Sequence, residues 1–231
     1  MEAATGPGCV VLLLHGLTMR PETMSAFASV FEPFAVVRCP AGPVEYADGS
    51  RSWWPVDLEK RAFHLARGPM DLFDRVPPQR DRARAALHAA VTEARAAFPR
   101  LPLVLAGFSQ GGMLSVDYLL LHPEARVDAL ALVSASRIDL ETWQPHLARL
   151  AGLRVWQAHG VRDEDLGFAA GERLRDLLVE AGAHATFQPY DGGHEMTLAV
   201  WRGLRHFVKE QARAGIDATA TTRPGEEHDV V

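Results

Sequence analysis

Between Leu103 and Leu120 the chain leaves no room for a loop. Leu103-Val-Leu-Ala106 is a short apolar run with the composition of a strand buried on both faces. Gly107-Phe108-Ser109-Gln110-Gly111-Gly112 follows at once, and Met113, Val116 and Leu120, with Leu119 beside them, then recur at helical spacing. A strand must therefore turn directly into a helix, with Ser109 at the corner. A turn this tight forces its apex residue into an unfavourable backbone region and brings the chain close to itself. Gly107 and Gly111 remove the Cβ atoms that would clash, and Gly112 lets the helix pack close to the sheet. The Ser109 hydroxyl is pushed out beyond a strand end, beside backbone N–H groups and the positive end of a helix dipole. The Gly-x-Ser-x-Gly pattern alone is weak, since three fixed positions match by chance roughly 0.1 times in a chain this long. The strand before it and the helix after it give it weight.

The rest of the chain repeats the alternation. Residues 9–14, 34–39, 128–134, 153–158 and 185–190 read as further buried strands. Helices are expected over about 21–31, where Pro21 suits a first turn, within 138–150, over 168–181, and from 193 to about 211. The last of these is expected to bury Leu198, Trp201, Leu204 and Val208. Residues 78–98 carry Ala83, Leu87, Val91, Ala94 and Phe98 along one stripe, with the arginines mostly off it. This predicts one doubly wound α/β domain over residues 1–211, with a mostly parallel sheet and helices on both faces. Residues 212–231 are polar and predict a disordered tail. Residues 41–77 are irregular, apart from a short helix near 57–66. A stretch that long between core elements reads as a lid or binding loop.

Composition narrows the partners. The 231 residues are 48% hydrophobic and 23% charged, which suits one domain with a substantial core. A net charge of -5 without a basic patch argues against nucleic acid. The two cysteines, Cys9 and Cys39, each sit in an apolar run, so no disulfide framework is implied and a reducing compartment fits. No apolar stretch near the N-terminus has the length of a signal core or a membrane span, so a cytoplasmic location is expected. Monomer and homodimer are both open.

In open α/β sheets ligands bind beyond the carboxyl ends of the strands, and the partners of Ser109 are found there. A serine hydroxyl needs a base to take its proton and a group to orient that base. His194 lies in the Gly-flanked loop 191–195 after the last strand, which would place its imidazole over the sheet edge. Asp163, Glu164 and Asp165 are adjacent in the loop after the preceding strand, and Asp139 is another location for an acid. The order Ser…Asp/Glu…His belongs to one of the serine-hydrolase folds. An oxyanion needs preorganised N–H donors, expected from the backbone of Gln110 and of Leu17 in the loop after the first strand. His15 and His159 each precede a glycine after a strand and read as loop-shaping residues. Trp53 and Trp54 are the substrate-binding candidates. Adjacent residues of an extended segment point to opposite sides, so one indole should pack inward and the other face the site, unless both anchor the loop.

With these residues the chain resembles the phospholipase/carboxylesterase family of α/β hydrolases, which includes acyl-protein thioesterases. The matching pieces are Leu14-His15-Gly16-Leu17, the Pro40…Pro43 loop with Ser52-Trp53-Trp54, the 107–112 turn, His159-Gly160-x-x-Asp163 and Gly193-His194-Glu195. They span roughly residues 9–207. The resemblance implies an α/β-hydrolase fold, a triad of Ser109, Asp163 and His194, and an oxyanion hole at Leu17 and Gln110. Where the family often continues His-Gly-Leu with Gly-Asp, this chain has Thr18-Met19. After Asp163 it has Glu164-Asp165-Leu166-Gly167 in place of the family's prolines, and 65–77 is longer. The expected activity is cleavage of carboxylic esters or thioesters of short to medium acyl chains through an acyl-serine, with no metal or organic cofactor. The alternatives are a lysophospholipase or acyl-thioesterase, or a hydrolase-fold binding protein without catalysis.

Overall fold

The continuous apolar runs exist because both faces of the sheet are covered. A computed structural model of the chain describes residues 6–32 and 34–221. Strand β1 (Cys9–Leu14) lies inside a six-stranded parallel sheet, beside β2 (Ala35–Arg38) on one side and β5 (Leu103–Phe108) on the other. The sheet continues through β6 (Ala129–Val133), β7 (Arg154–Gly160) and β8 (His184–Tyr190), in the order β2-β1-β5-β6-β7-β8. Two short antiparallel strands, β3 (Val44–Glu45) and β4 (Arg51–Ser52), form a separate ribbon.

Side chains alternate across each strand. Leu12, Leu14, Leu105, Leu130 and Leu132 face a core built with helices α3 (Arg80–Ala97), α4 (Gln110–Leu121) and α6 (Phe168–Glu180). Val11, Leu13, Val104, Ala106 and Ala131 face a second core, closed by α1 (Pro21–Ser25) and α7 (Leu198–Thr221). The arrangement is the doubly wound α/β sheet expected, and it brings the ends of β1, β5, β7 and β8 to one edge.

Three elements differ from the sequence reading. The helix expected over 21–31 is divided into α1 and a 3-10 turn, Ala28–Phe31. The Ser25 hydroxyl donates to the Glu22 carbonyl, a local bond that competes with the helix ladder. The helix expected within 138–150 is α5 (Leu140–Trp143) followed by 3-10 turns over Gln144–Leu150, where Pro145 has no N–H to give. The last helix begins at Leu198, which is 72% exposed rather than buried. It also runs beyond Gln211. Ala212 is buried, and its carbonyl lies where any Cβ on Gly8 would sit, so the helix packs on the start of β1 instead of fraying there. Residues 222–231 lie outside the described residues.

The 41–77 segment contains the β3–β4 ribbon and α2 (Leu58–Leu65), a helix with no buried residue, capped by Asp57 accepting from the Lys60 N–H. It is tied to the domain at several points. Met70 N–H donates to the Asp165 carbonyl and Gly167 N–H to the Met70 carbonyl. Asp71 pairs with Arg137 and Arg173.

Candidate active site

Ser109 sits at the corner between β5 and α4 with φ 51° and ψ -115°, outside the regions that L-residues favour. The surroundings hold it there. Its N–H donates to the Val133 carbonyl at 2.8 Å, and its carbonyl accepts the Met113 N–H at 3.0 Å. A Cβ on Gly107 would overlap the Gly111 backbone, and one on Gly111 would meet the Leu14 carbonyl, so both glycines are there for close approach.

The loops after β5, β7 and β8 bring three side chains into line. Ser109 Oγ–H donates to His194 Nε2 at 2.9 Å, and His194 Nδ1–H donates to Asp163 Oδ2 at 2.8 Å. The Tyr190 hydroxyl donates to the Glu195 carbonyl at 2.6 Å and ties down the loop that carries His194. The Phe108 ring lies 5.0 Å from the imidazole, centre to centre. Asp163 is buried and takes three hydrogen bonds. Oδ1 accepts the backbone N–H groups of Asp165 and Leu166, both at 2.9 Å, Oδ2 accepts from His194, and His159 Nε2, hydrogen-bonded to the Leu166 carbonyl at 2.8 Å, lies 3.3 Å from Oδ2. Burial alone would raise its pKa. The N–H groups of His159 and His194 and the charge of His194 outweigh that and lower it to about 2. The carboxylate therefore stays ionised beside the imidazole.

The other acids in view are elsewhere. Asp165 Oδ2 lies 3.7 Å from His194 Nε2 and is paired with Arg61 of α2. Glu164 is exposed, and Asp139 pairs with Arg80 at 2.6 Å. Among the described residues the N–H groups of Leu17 and Gln110 have no hydrogen-bond partner, and both residues line the same cavity as Ser109 and His194. That cavity is about 640 Å³, mostly apolar, and roofed by α2 and the segment after it.

The sequence pattern of the phospholipase/carboxylesterase family matches residues 2–211. The chain belongs to that family. No curated protein matches it. Among solved structures, esterase PE8 is similar at 22% identity, covering 91% of this chain and 96% of that one with a TM-score of 0.72. The Bacillus cereus carboxylesterase is similar at 21% identity, with 90% of each chain covered and a TM-score of 0.63. Zea mays acyl-protein thioesterase 2 is similar at 17% identity, covering 92% and 96%, with a TM-score of 0.66. At these identities the likeness is one of fold.

Against the family pattern, Thr18 occupies a position often held by glycine and adopts φ 49°. Its N–H is held by Ser52 Oγ at 3.0 Å. The two tryptophans part as adjacent extended residues should. Trp53 is fully buried, stacks on His15 at 5.2 Å and donates its Nε1–H to the His15 carbonyl at 2.9 Å. It therefore packs under the loop after β1 and does not line the cavity, whereas Trp54 does. His15 also shapes the loop, since its Nε2 accepts the Gly42 N–H at 2.9 Å. Burial, partly opposed by the hydrogen bond to Gly16, lowers its pKa. His159, read from sequence as a loop-shaping residue, lies against Asp163. Its place in His-Gly-x-x-Asp, four residues ahead of the acid, was the available signal. Nothing in the sequence pointed to Tyr190 or to the Arg61–Asp165 pair, which depend on how distant loops meet.

Proposed function

We propose that this family member is a carboxylesterase-type serine hydrolase acting through an acyl-Ser109 intermediate. The observation that carries the reading is the unbroken Ser109–His194–Asp163 hydrogen-bonded line, whose Ser109 shares its cavity with Leu17 and Gln110, residues whose N–H groups have no partner among the described residues. In the proposed sequence Ser109 Oγ attacks the ester carbonyl while His194 Nε2 takes its proton. The carbonyl oxygen gains negative charge and is met by the two backbone N–H groups, fixed in advance and needing no reorganisation. Asp163 holds the imidazole in its Nδ1–H tautomer and supports the imidazolium. The C–O bond to the alcohol breaks, and His194 gives the leaving oxygen its proton. Water, deprotonated by His194, then attacks the acyl-enzyme and releases the acid and free Ser109.

The apolar cavity suits the acyl portion of the substrate, and the bulky Trp54 indole is part of its wall. On that basis we assign esters of short to medium acyl chains. Lysophospholipase and acyl-thioesterase activities use the same chemistry and differ in the leaving group. The test is covalent labelling by a fluorophosphonate probe, with the modified residue located by mass spectrometry. Stoichiometric labelling of Ser109, with turnover of p-nitrophenyl butanoate, is the expected result. Folded protein that takes up no probe and hydrolyses no ester would leave a hydrolase-fold binding protein as the better reading.

A further inference from the structure

We propose that His159 is a positioning residue for Asp163, its buried Nε2–H fixing the carboxylate that orients His194. The proposal rests on the serine-hydrolase reading above and adds to it a residue outside the Ser109–His194–Asp163 line.

His159 closes β7 and is wholly buried. Its ring meets Phe168 edge-on at 6.2 Å, and its Nδ1 lies so close to Gly171 that any Cβ there would overlap it. The ring therefore has one orientation. In that orientation Nε2–H donates to the Leu166 carbonyl at 2.8 Å and lies beside Asp163 Oδ2 at 3.3 Å, so the proton is on Nε2. Nδ1 is buried and has no hydrogen-bond partner among the described residues. A proton there would be an N–H with no acceptor, so the ring is a neutral donor. A buried lone pair without a partner is a cost that an apolar ring of similar shape would avoid. What the imidazole supplies in exchange is the Nε2–H.

That N–H matters because of what else holds Asp163. Oδ1 is fixed by two backbone N–H groups, one of them from Leu166, whose carbonyl His159 holds, while Oδ2 has the His194 hydrogen bond and the nearby His159 Nε2–H. Without the His159 donor, Oδ2 keeps one partner, the very imidazole it is meant to orient, and the carboxylate can follow that ring's movements instead of constraining them. His159 does not itself line the cavity that holds Ser109. The other groups facing this pair are Asp165 with its Arg61 partner, Tyr190, and the uncharged Phe108 ring. All of them stay in place in the variants below.

Gln and Asn separate the two ring nitrogens. A Gln amide nitrogen is as many bonds from Cβ as Nε2, and an Asn amide nitrogen as many as Nδ1. His159→Gln can restore the N–H to the Leu166 carbonyl and beside Asp163 Oδ2, whereas His159→Asn places its amide where no acceptor lies. His159→Phe, which keeps a packed ring and removes both nitrogens, should behave like Asn if Asn is poorly folded. We expect Gln to keep kcat within about threefold of wild type. Asn should lose about tenfold to a hundredfold in kcat, the scale of a small misplacement of reacting groups, with KM little changed. In Asn the acid limb of kcat/KM should also move to lower pH, because a carboxylate that follows the ring supports the imidazolium less. The low-field proton resonance of the His194–Asp163 hydrogen bond should persist in wild type and Gln and broaden or vanish in Asn. A purely structural role would move neither the pH limb nor that resonance. Asn and Gln variants with equal kcat and the same acid limb would overturn the proposal. A wild type that hydrolyses no ester but shows the resonance, lost in Asn, would count against the hydrolase reading and in favour of this one.

Discussion

The side-chain amide of Gln110 grips the main chain of the tryptophan pair: Nε2 donates to the Trp54 carbonyl at 3.0 Å while Oε1 accepts the Trp53 N–H at 2.7 Å. The residue whose backbone N–H borders Ser109 thus also locks the wall of the cavity through its side chain. Gln110→Ala keeps the backbone N–H and releases the wall. It leaves the buried Trp53 N–H without a partner, which should cost about 1–3 kcal/mol of stability. We expect a lower urea midpoint and a kcat/KM loss dominated by KM. A variant as stable as wild type would show that the grip contributes nothing.

Ser109→Ala and His194→Ala should each reduce kcat by a factor on the order of 10⁴–10⁶, because such a triad acts as a unit. That is roughly 5–8 kcal/mol of transition-state stabilisation. Ester hydrolysis by Ser109→Ala at a tenth of the wild-type rate would end the acyl-serine reading.

Asp163 and Asp165 give opposite expectations two residues apart. Asp163→Asn removes the carboxylate that holds the imidazole and should cost orders of magnitude in kcat. Asp165→Asn should be mild, since Asp165 reaches His194 only at 3.7 Å and is paired with Arg61. The reverse ranking would move the acid to Asp165.

Asp163 also makes an acid-stability prediction. Its folded pKa, about 2, is below the ordinary carboxyl value of 3.8. A depressed carboxyl binds fewer protons folded than unfolded, so its contribution to stability is present above the unfolded pKa and lost as pH falls from there through about 2. Wild type should therefore lose more stability than Asp163→Asn between about pH 4 and 2. Parallel curves of unfolding free energy against pH in that window would refute the link.

Much of this was readable beforehand, for a physical reason. Residues 103–112 encode strand, turn and helix through local sterics, so Ser109 could be placed from its neighbours alone. The loops of Asp163 and His194 follow recognisable buried strands, and strand order brings their ends together. What the sequence could not supply came from contacts between distant segments. His159 differs from an ordinary loop histidine only in facing Asp163. The extension of α7 past Gln211 depends on Gly8, some two hundred positions earlier, and the roof of the cavity depends on Arg61 meeting Asp165.

Thr18 should be a site where one substitution stabilises. Its φ of 49° is strained for a β-branched residue, and among the described residues its Oγ1 bonds only the neighbouring Leu17 carbonyl. Thr18→Gly removes the strain and keeps the N–H bond to Ser52, at the cost of a freer unfolded chain. We expect a net gain of about 1 kcal/mol, seen as a raised denaturant midpoint at constant m. A loss of stability would mean that the Leu17–Thr18 turn is not strained in solution.

The tryptophan pair makes the substrate assignment testable. Trp54 lines the cavity and Trp53 lies beneath it, bonded to His15, so the two truncations should fail in different ways. Trp54→Ala removes a wall of the proposed acyl site. It should shift the p-nitrophenyl ester optimum toward longer chains, each accommodated CH₂ contributing about 0.8 kcal/mol, while unfolding remains cooperative. Trp53→Ala should instead cost about 3–5 kcal/mol of stability, the range for a buried aromatic, and lower activity on all chain lengths together. An unchanged chain-length profile in Trp54→Ala would remove that indole from the acyl site. The short-to-medium assignment, which depends on Trp54 narrowing the cavity, would fall with it.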